Sequence, residues 1–317
     1  MASLGFYPKR KPYKTGYLPV SDGHKLYYAL YGNPNGVPIL IIHGGPGAGC
    51  SDTAYRYYDP RTCNILALDQ RGAGRSKPFA SLRGNTTDKL VKDFRTFLKF
   101  LKIKKVFIAG GSWGSCLGLC YAIKYPQTVL GMSFRGIYLG SNFVDDFMLS
   151  GRARTHFPEP WIRFVSHVPQ RYRSRPCTYY WKMMRSKNPK TTRKYCQEWA
   201  LYETSLLSLE YNLSKALKKI KSKFVIPLSL LEAHYIGKNC FLPKNYIIRN
   251  VHKLAHIPCS IVHGRYDFVC PPENAYVLHK ALPKSRLHFV TAGHSAKDPE
   301  IVKLLMREMK YLIKNYA

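Results

Sequence analysis

Acidic residues are sparse in this 317-residue chain: 18 Asp and Glu stand against 50 Lys and Arg, a net charge of +32. The basic residues are spread along the whole length without a tail or arm, with local clusters at Arg171, Arg173 and Arg175 and at Lys218, Lys219, Lys221 and Lys223. A field of that size invites nonspecific contact with polyanions, yet no RRM, zinc-finger or comparable nucleic-acid signature is present. Long hydrophobic runs are also missing. No apolar stretch approaches the roughly 20 residues that cross a bilayer, which argues against a membrane protein. The segment Met1 to Tyr17 mixes Lys, Arg and aromatics without an apolar h-region, so a signal peptide is not expected and the cytoplasm is the expected compartment. The nine cysteines are scattered, with no C-x-x-C pair and no Cys/His cluster at zinc spacing. That pattern speaks against a disulfide framework or a structural zinc and fits a reducing compartment. Internal repeats and low-complexity linkers are absent as well.

What is there is a succession of short apolar runs, each closed by Gly or a turn: Ile39–Ile42, Ile65–Leu68, Val106–Ala109, Met132–Phe134, Ile261–Val262 and Leu287–Val290. Runs without alternation fit strands buried on both faces, as in a parallel sheet. A hairpin precedes them over Lys14 to Gly32, turning at Ser21-Asp22-Gly23. Between several runs lie helical patterns. Thr87 to Leu101 aligns Leu90, Val91, Phe94, Leu98 and Leu101 on one face, and Ser115 to Tyr125 stops before Pro126. The expected fold class is therefore α/β, with helices on both sides of a mostly parallel central sheet. From about Leu139 to Asn245 the rhythm breaks into Arg-, Lys- and Tyr-rich helical sequence. We expect residues 1–138 and 246–317 to form the core and 139–245 an inserted helical cap.

The chemistry centres on Gly110-Gly111-Ser112-Trp113-Gly114, a G-x-S-x-G that follows a strand and opens a helix. In that setting the serine sits on a strained turn above the sheet, and flanking glycines permit the close backbone approach. A serine hydroxyl needs a base, and the base an orienting acid. Both are expected later in the chain, acid first, each in a loop after a strand. Asp267 follows the Ile261–Val262 strand, and His294 follows Leu287–Val290. The other nearby histidines fall in a helix (His279), within a strand (His288) or before the acid (His263). Ser112, Asp267 and His294 are the expected catalytic triad. His43-Gly44-Gly45-Pro46-Gly47 supplies a turn whose amide, from Gly45 or alternatively Gly44, pairs with the amide of Trp113 as an oxyanion hole. A dinucleotide loop is not expected there, because the glycine spacing fails at Cys50.

HGGPG at 43–47, DQRGAGRS at 69–76, GGSWGS at 110–115, GRYD at 264–267 and AGHS at 292–295, in this order, resemble the prolyl iminopeptidase family nearly end to end. The resemblance implies an α/β-hydrolase fold with a helical cap, needing no metal or organic cofactor. It also implies release of N-terminal proline from short peptides. It further implies that two cap glutamates hold the substrate amino group, matched by position to Glu203 and Glu232, and that Tyr138 packs where the family usually has a Phe against the proline ring. Both glutamates border apolar stripes. Glu203 lies four residues after Trp199 in the stripe Trp199, Tyr202, Leu206 and Leu209, and Glu232 shares a face with Leu228, Leu231 and Tyr235. A carboxylate there is costly unless paired, either with a basic side chain or with a substrate ammonium. The stretch Leu139 to Leu149 departs from the family's aromatic-rich pattern, with Phe147 in place of a Trp and Leu149 where a Tyr is common. That departure bears on the width and polarity of the proline pocket. Two other readings stay open: an esterase or amidase of the same fold acting on neutral small molecules, and a polyanion-binding protein on a hydrolase scaffold. The sequence leaves the oligomeric state open.

Overall fold

The computed structural model describes residues 5–142, 144–210 and 212–317. Residues 1–4, Phe143, Tyr211 and the side chain of Lys219 lie outside the described set.

Among the described residues, eight strands form one sheet: β1 (Lys14–Pro19), β2 (Lys25–Gly32), β3 (Val37–Ile42), β4 (Cys63–Leu68), β5 (Val106–Ser112), β6 (Val129–Ile137), β7 (Cys259–Gly264) and β8 (Ser285–Val290). Their order across the sheet is β1-β2-β4-β3-β5-β6-β7-β8. β2 runs antiparallel to both β1 and β4, and every pairing from β4 to β8 is parallel. The expected mostly parallel sheet is thus present, and the hairpin is its antiparallel edge.

The apolar runs lack alternation because both faces are covered. On one face Leu40, Ile42, Leu66 and Ile108 pack with Leu90, Phe94 and Phe97 of α1 (Thr87–Phe100) and Leu117 and Tyr121 of α2 (Trp113–Lys124). On the other, Ile39, Ile41, Ile65 and Phe107 meet Met309 and Leu312 of the last helix. At about 25 cal/mol per Å² of apolar area removed from water, such two-sided burial is the main force holding the sheet.

Between β6 and β7 the described residues contain no strand. The helices there are α3 (Pro158–Ser166), α4 (Pro176–Met184), α5 (Pro189–Leu206), α6 (Leu213–Lys219), α7 (Val225–Ile236) and α8 (Tyr246–Asn250). α5 packs on α3, α4, α6 and α7, whereas α8 packs on α2 of the sheet layer. α9 (Pro272–Ala281) and α10 (Pro299–Tyr316) complete the chain. The stripe on α5 ends with the helix at Leu206, and Leu209 is exposed beyond it.

The segment after β4 is a scaffold of buried charge. Arg71 is buried and donates to both carboxylate oxygens of Asp93 at 2.6 and 2.8 Å, to Asp22 at 2.8 Å, to the Gly84 carbonyl at 2.9 Å and to the Ser21 hydroxyl at 2.8 Å. Satisfying a guanidinium so fully makes its burial tolerable, and removing one partner of such a pair costs about 3–5 kcal/mol. Asp69 accepts from the amides of Cys50 (2.7 Å) and Arg75 (2.9 Å), tying the loop after β3 to the loop after β4.

Candidate active site

Ser112 ends β5 and caps α2 with φ 57° and ψ −131°, a conformation that costs a non-glycine residue about 1–3 kcal/mol. The glycines around it show what enforces the turn. A Cβ on Gly114 would lie 2.1 Å from the Ile42 carbonyl oxygen, and one on Gly110 would lie 2.8 Å from the Gly114 carbonyl oxygen. Only a backbone without side chains lets α2 start so close to β3. The Ser115 hydroxyl donates to the Ser112 carbonyl at 2.7 Å and accepts from the Tyr138 amide at 3.0 Å, bracing the turn from behind.

Asp267 and His294 meet as the chain order predicts: His294 Nδ1 and Asp267 Oδ2 are 2.7 Å apart and both residues are buried. The other carboxylate oxygen of Asp267 accepts from the amides of Val269 (3.0 Å) and Cys270 (2.8 Å). Burial alone would raise the Asp267 pKa; the charge and hydrogen bond of His294, with His263 and the Cys270 amide, outweigh it and hold the carboxyl below its ordinary value. Nδ1 is thereby committed to the acid, which leaves Nε2 as the basic nitrogen. Gly136, at φ +48°, abuts this pair, since a Cβ there would lie 3.0 Å from His294 Cε1.

Two supports were not foreseen from sequence. Arg135, on β6, donates from Nη1 to the His294 carbonyl at 2.7 Å and anchors the histidine loop. His263 accepts the Ile137 amide at Nδ1 (3.1 Å), and its Nε2 lies 2.9 Å from the Cys270 carbonyl and 3.5 Å from Asp267 Oδ2. The proximity of His263 four residues before Asp267 was the available signal; that of Arg135 was its place in the strand beside the one that ends in the serine.

The glycine-rich turn after β3 is fixed against the serine through Gln70. Its side chain donates to the His43 carbonyl at 2.8 Å and accepts from the Trp113 indole at 3.0 Å, while its amide donates to His43 Nε2 at 2.9 Å. A Cβ on Gly44 would come within 3.5 Å of Ser112 Cβ, and Gly45 has φ +105°. The turn therefore lies directly over the nucleophile, and Trp113 opens α2 beside it.

A cavity of about 470 Å³ is walled by Ser112, His294, Gly44, Gly45, Glu203 and Leu228, among others. Glu203 projects from α5 into this wall. Glu232 does not line it: its carboxylate is buried on α7 and accepts the Trp199 indole N–H at 2.9 Å, an indole partner in place of the expected basic side chain or substrate ammonium. Burial, and next the charge of Glu203, push the Glu232 pKa well above the ordinary value. Tyr138 is likewise not among the walls. A buried phenol seeks hydrogen-bond partners, and this one finds the Ser141 hydroxyl at 2.9 Å, beside Cys240, which draws the ring into the core. Leu149 is buried away from the cavity.

Residues 37–300 match the model of a family described as alpha/beta hydrolase fold. Along nearly the whole chain the sequence is 38% identical to a probable proline iminopeptidase of Leptolyngbya boryana, over 95% of this chain and 94% of the relative. It is 38% identical to the proline iminopeptidase of Arabidopsis thaliana, over 93% of this chain and 78% of the relative. It is 35% identical to that of Neisseria meningitidis serogroup B, over 97% and 98%. In shape it is similar to a bromoperoxidase from Bacillus anthracis, with a TM-score of 0.68 at 16% identity over 95% of this chain and 100% of that one. An esterase from Exiguobacterium antarcticum aligns with a TM-score of 0.63 at 18% identity, over 94% and 98%.

Proposed function

The chain belongs to the proline iminopeptidase family of the α/β-hydrolase fold, and from that premise we propose that it is a serine aminopeptidase releasing N-terminal proline from short peptides, with Ser112, Asp267 and His294 as its triad. The observation that carries the mechanism is the buried 2.7 Å contact of Asp267 with His294, which shares a cavity wall with the strained Ser112.

Ser112 Oγ attacks the proline carbonyl carbon as His294 Nε2 takes its proton, and the amides of Gly45 and Trp113 receive the oxyanion. His294 then protonates the departing amine, the C–N bond breaks, and water attacks the acyl-enzyme by the same route in reverse. Asp267 keeps the imidazole in the required tautomer and stabilises the imidazolium.

The amino end of the substrate is recognised by Glu203 in the cavity wall, with Glu232 behind it. Burial and the charge of Glu203 raise the Glu232 pKa, and a substrate ammonium next to the two carboxylates pulls it back down by favouring the charged form. Residues 139–245 serve as the cap that carries both acids and admits only short chains. Tyr138 shapes the core under the site instead of touching substrate. No described helix is long and apolar enough to cross a membrane, and a reducing cytoplasm suits nine free thiols.

The test is a comparison of proline and alanine β-naphthylamides, with Ser112→Ala as blank. Strong preference for proline is expected. Equal cleavage of both, with a simple ester turned over faster than either, would replace this reading with an esterase or amidase.

A further inference from the structure

A second concavity, of about 820 Å³, opens in the helical insertion and shares no wall residue with the catalytic cavity. Two separate pieces of chain converge on it. The segment after β6 contributes Arg152 and Arg154, and the turn leading into α4 contributes Arg173 and Arg175. All four are exposed, and Asp145 is the one carboxylate among the described wall residues.

The arginines are steered by neutral groups. Arg152 donates to the Asp145 carbonyl and the Ser150 hydroxyl, and Arg173 donates to the Val168 carbonyl. The guanidiniums of Arg154 and Arg175 make no hydrogen bond to another described residue, and no carboxylate among the described residues lies within ion-pair distance of any of the four, although the charge of Arg152 reaches the buried Asp146. Elsewhere arginines do find acids, as Arg71 does with Asp93 and Arg163 with Glu198. Trp161 is part of the floor, and its ring presses on Gly151, where a Cβ would come within 2.7 Å, so the loop bearing Arg152 is seated on α3.

Four like charges gathered around one concavity repel each other, and an anion in their midst removes that cost. The fork of a guanidinium matches phosphoryl oxygens in pairs. A flat bilayer could not reach into the recess, and a nucleic-acid strand needs charges strung along a groove rather than gathered around a single concavity. We propose that this cleft binds a small soluble ligand carrying two or more linked phosphoryl groups, at a site separate from the catalytic one. The occupied cleft stiffens the insertion, because its loop is tied to α5 by the Tyr202 hydroxyl on the Met148 carbonyl (3.0 Å) and to α4 by the Cys177 thiol on the Leu149 carbonyl (3.4 Å).

Calorimetric titration with inorganic tripolyphosphate at physiological salt tests this. Saturable one-to-one binding is expected, weakened by about tenfold or more in Arg154→Gln/Arg175→Gln. Lys218→Gln/Lys221→Gln, which removes the same charge elsewhere, should leave the affinity unchanged. If the arginine pair impairs folding, Arg154→Gln alone should still weaken binding by about threefold. A parallel titration with ATP separates two sources of the same chemistry: equal affinity means that the phosphate chain alone is read, and tighter binding that a nucleoside contributes. Equal weakening by both double variants, or no saturable binding, overturns the proposal in favour of a general positive field. Single-stranded RNA that binds more tightly and is not displaced by tripolyphosphate overturns it in favour of a nucleic-acid surface.

Discussion

The indole N–H of Trp199 donates to Oε2 of Glu232 across 2.9 Å, joining α5 to α7 where both side chains are buried. One neutral donor compensates only part of the cost of burying a carboxylate. Burial and the nearby charge of Glu203 keep the Glu232 pKa well above normal despite the indole. Asp146 is in a similar position, pushed up to about 6 mainly by burial. An acid whose folded pKa is raised stabilises the fold fully below its unfolded value, about 4, and loses that contribution as pH climbs through the folded value.

Glu232→Gln therefore stabilises the protein while damaging its function. The amide keeps an acceptor for Trp199 and has no charge to bury. Its melting temperature should exceed that of the wild type by about 2 °C or more at pH 8, with a much smaller gap at pH 5. Cleavage of a proline amide should fall far more than hydrolysis of a neutral ester. Melting curves at the two pH values and parallel assays check both halves. A gap that fails to widen with pH would refute the raised Glu232 pKa, and equal losses on both substrates would remove Glu232 from amino-group recognition.

Two glycines of the nucleophile turn should respond differently to the same substitution. A Cβ on Gly111 would meet Arg135 Nε at 2.5 Å, and a side chain can swing away. Gly111→Ala should fold but lose the 2.7 Å Arg135 bond to the His294 carbonyl, lowering kcat by about 100-fold through a displaced base. A Cβ on Gly114 would lie 2.1 Å from the Ile42 carbonyl oxygen, which is strand backbone and cannot yield. Gly114→Ala should cost about 3 kcal/mol or more. Circular dichroism melts distinguish the two; a well-folded, active Gly114→Ala contradicts the packing argument.

At Ser112 the backbone itself predicts a contrast. Ser112→Ala and Ser112→Gly should both lose about 10⁴ to 10⁶ in kcat. Alanine inherits the strain at φ 57°, so its stability should match the wild type, while glycine relieves it and should gain about 1 kcal/mol. Chemical denaturation of both variants measures the difference. Glycine less stable than alanine would mean that the turn stores no strain.

The parts of the site that were legible in the sequence were those fixed by local patterns. A strand followed by G-x-S-x-G locates Ser112, and strand-then-loop positions locate Asp267 and His294, because the fold puts such loops at one edge of a parallel sheet. Side chains that act across the sheet left no local trace. Arg135 reaches His294 from 159 positions away, and Gln70 bridges His43 and Trp113. Tyr138 was the clearest difference. The family resemblance set it against the substrate proline, but its hydroxyl is satisfied by Ser141 in the core, a partner no periodicity reveals. The Trp199 bond to Glu232 was equally hidden, since a stripe says that a face is buried and not which atoms meet on it.

His263, buried behind Asp267, gives the fold an acid-side limit. Burial is the main cause of its lowered pKa, outweighing the attraction of Asp267, so the ring is neutral at pH 7. With Nδ1 accepting from the Ile137 amide, the proton sits on Nε2, where it is donated to the Cys270 carbonyl. A histidine with a depressed folded pKa stabilises above its unfolded value, about 6.5, and that contribution is lost as pH falls through the folded value. His263→Phe preserves ring volume beside Phe289 but strands two backbone groups, at about 1–3 kcal/mol each. The variant should be less stable at pH 7, and its stability should fall less steeply than that of the wild type between pH 7 and pH 5. Because Cys270 also donates its amide to Asp267, kcat should drop by about tenfold or more as the acid loses its seat. Urea unfolding at the two pH values, with kcat measured alongside, decides it: parallel pH slopes would mean that His263 is already charged in the native protein, and unchanged kcat that it supports the strand alone.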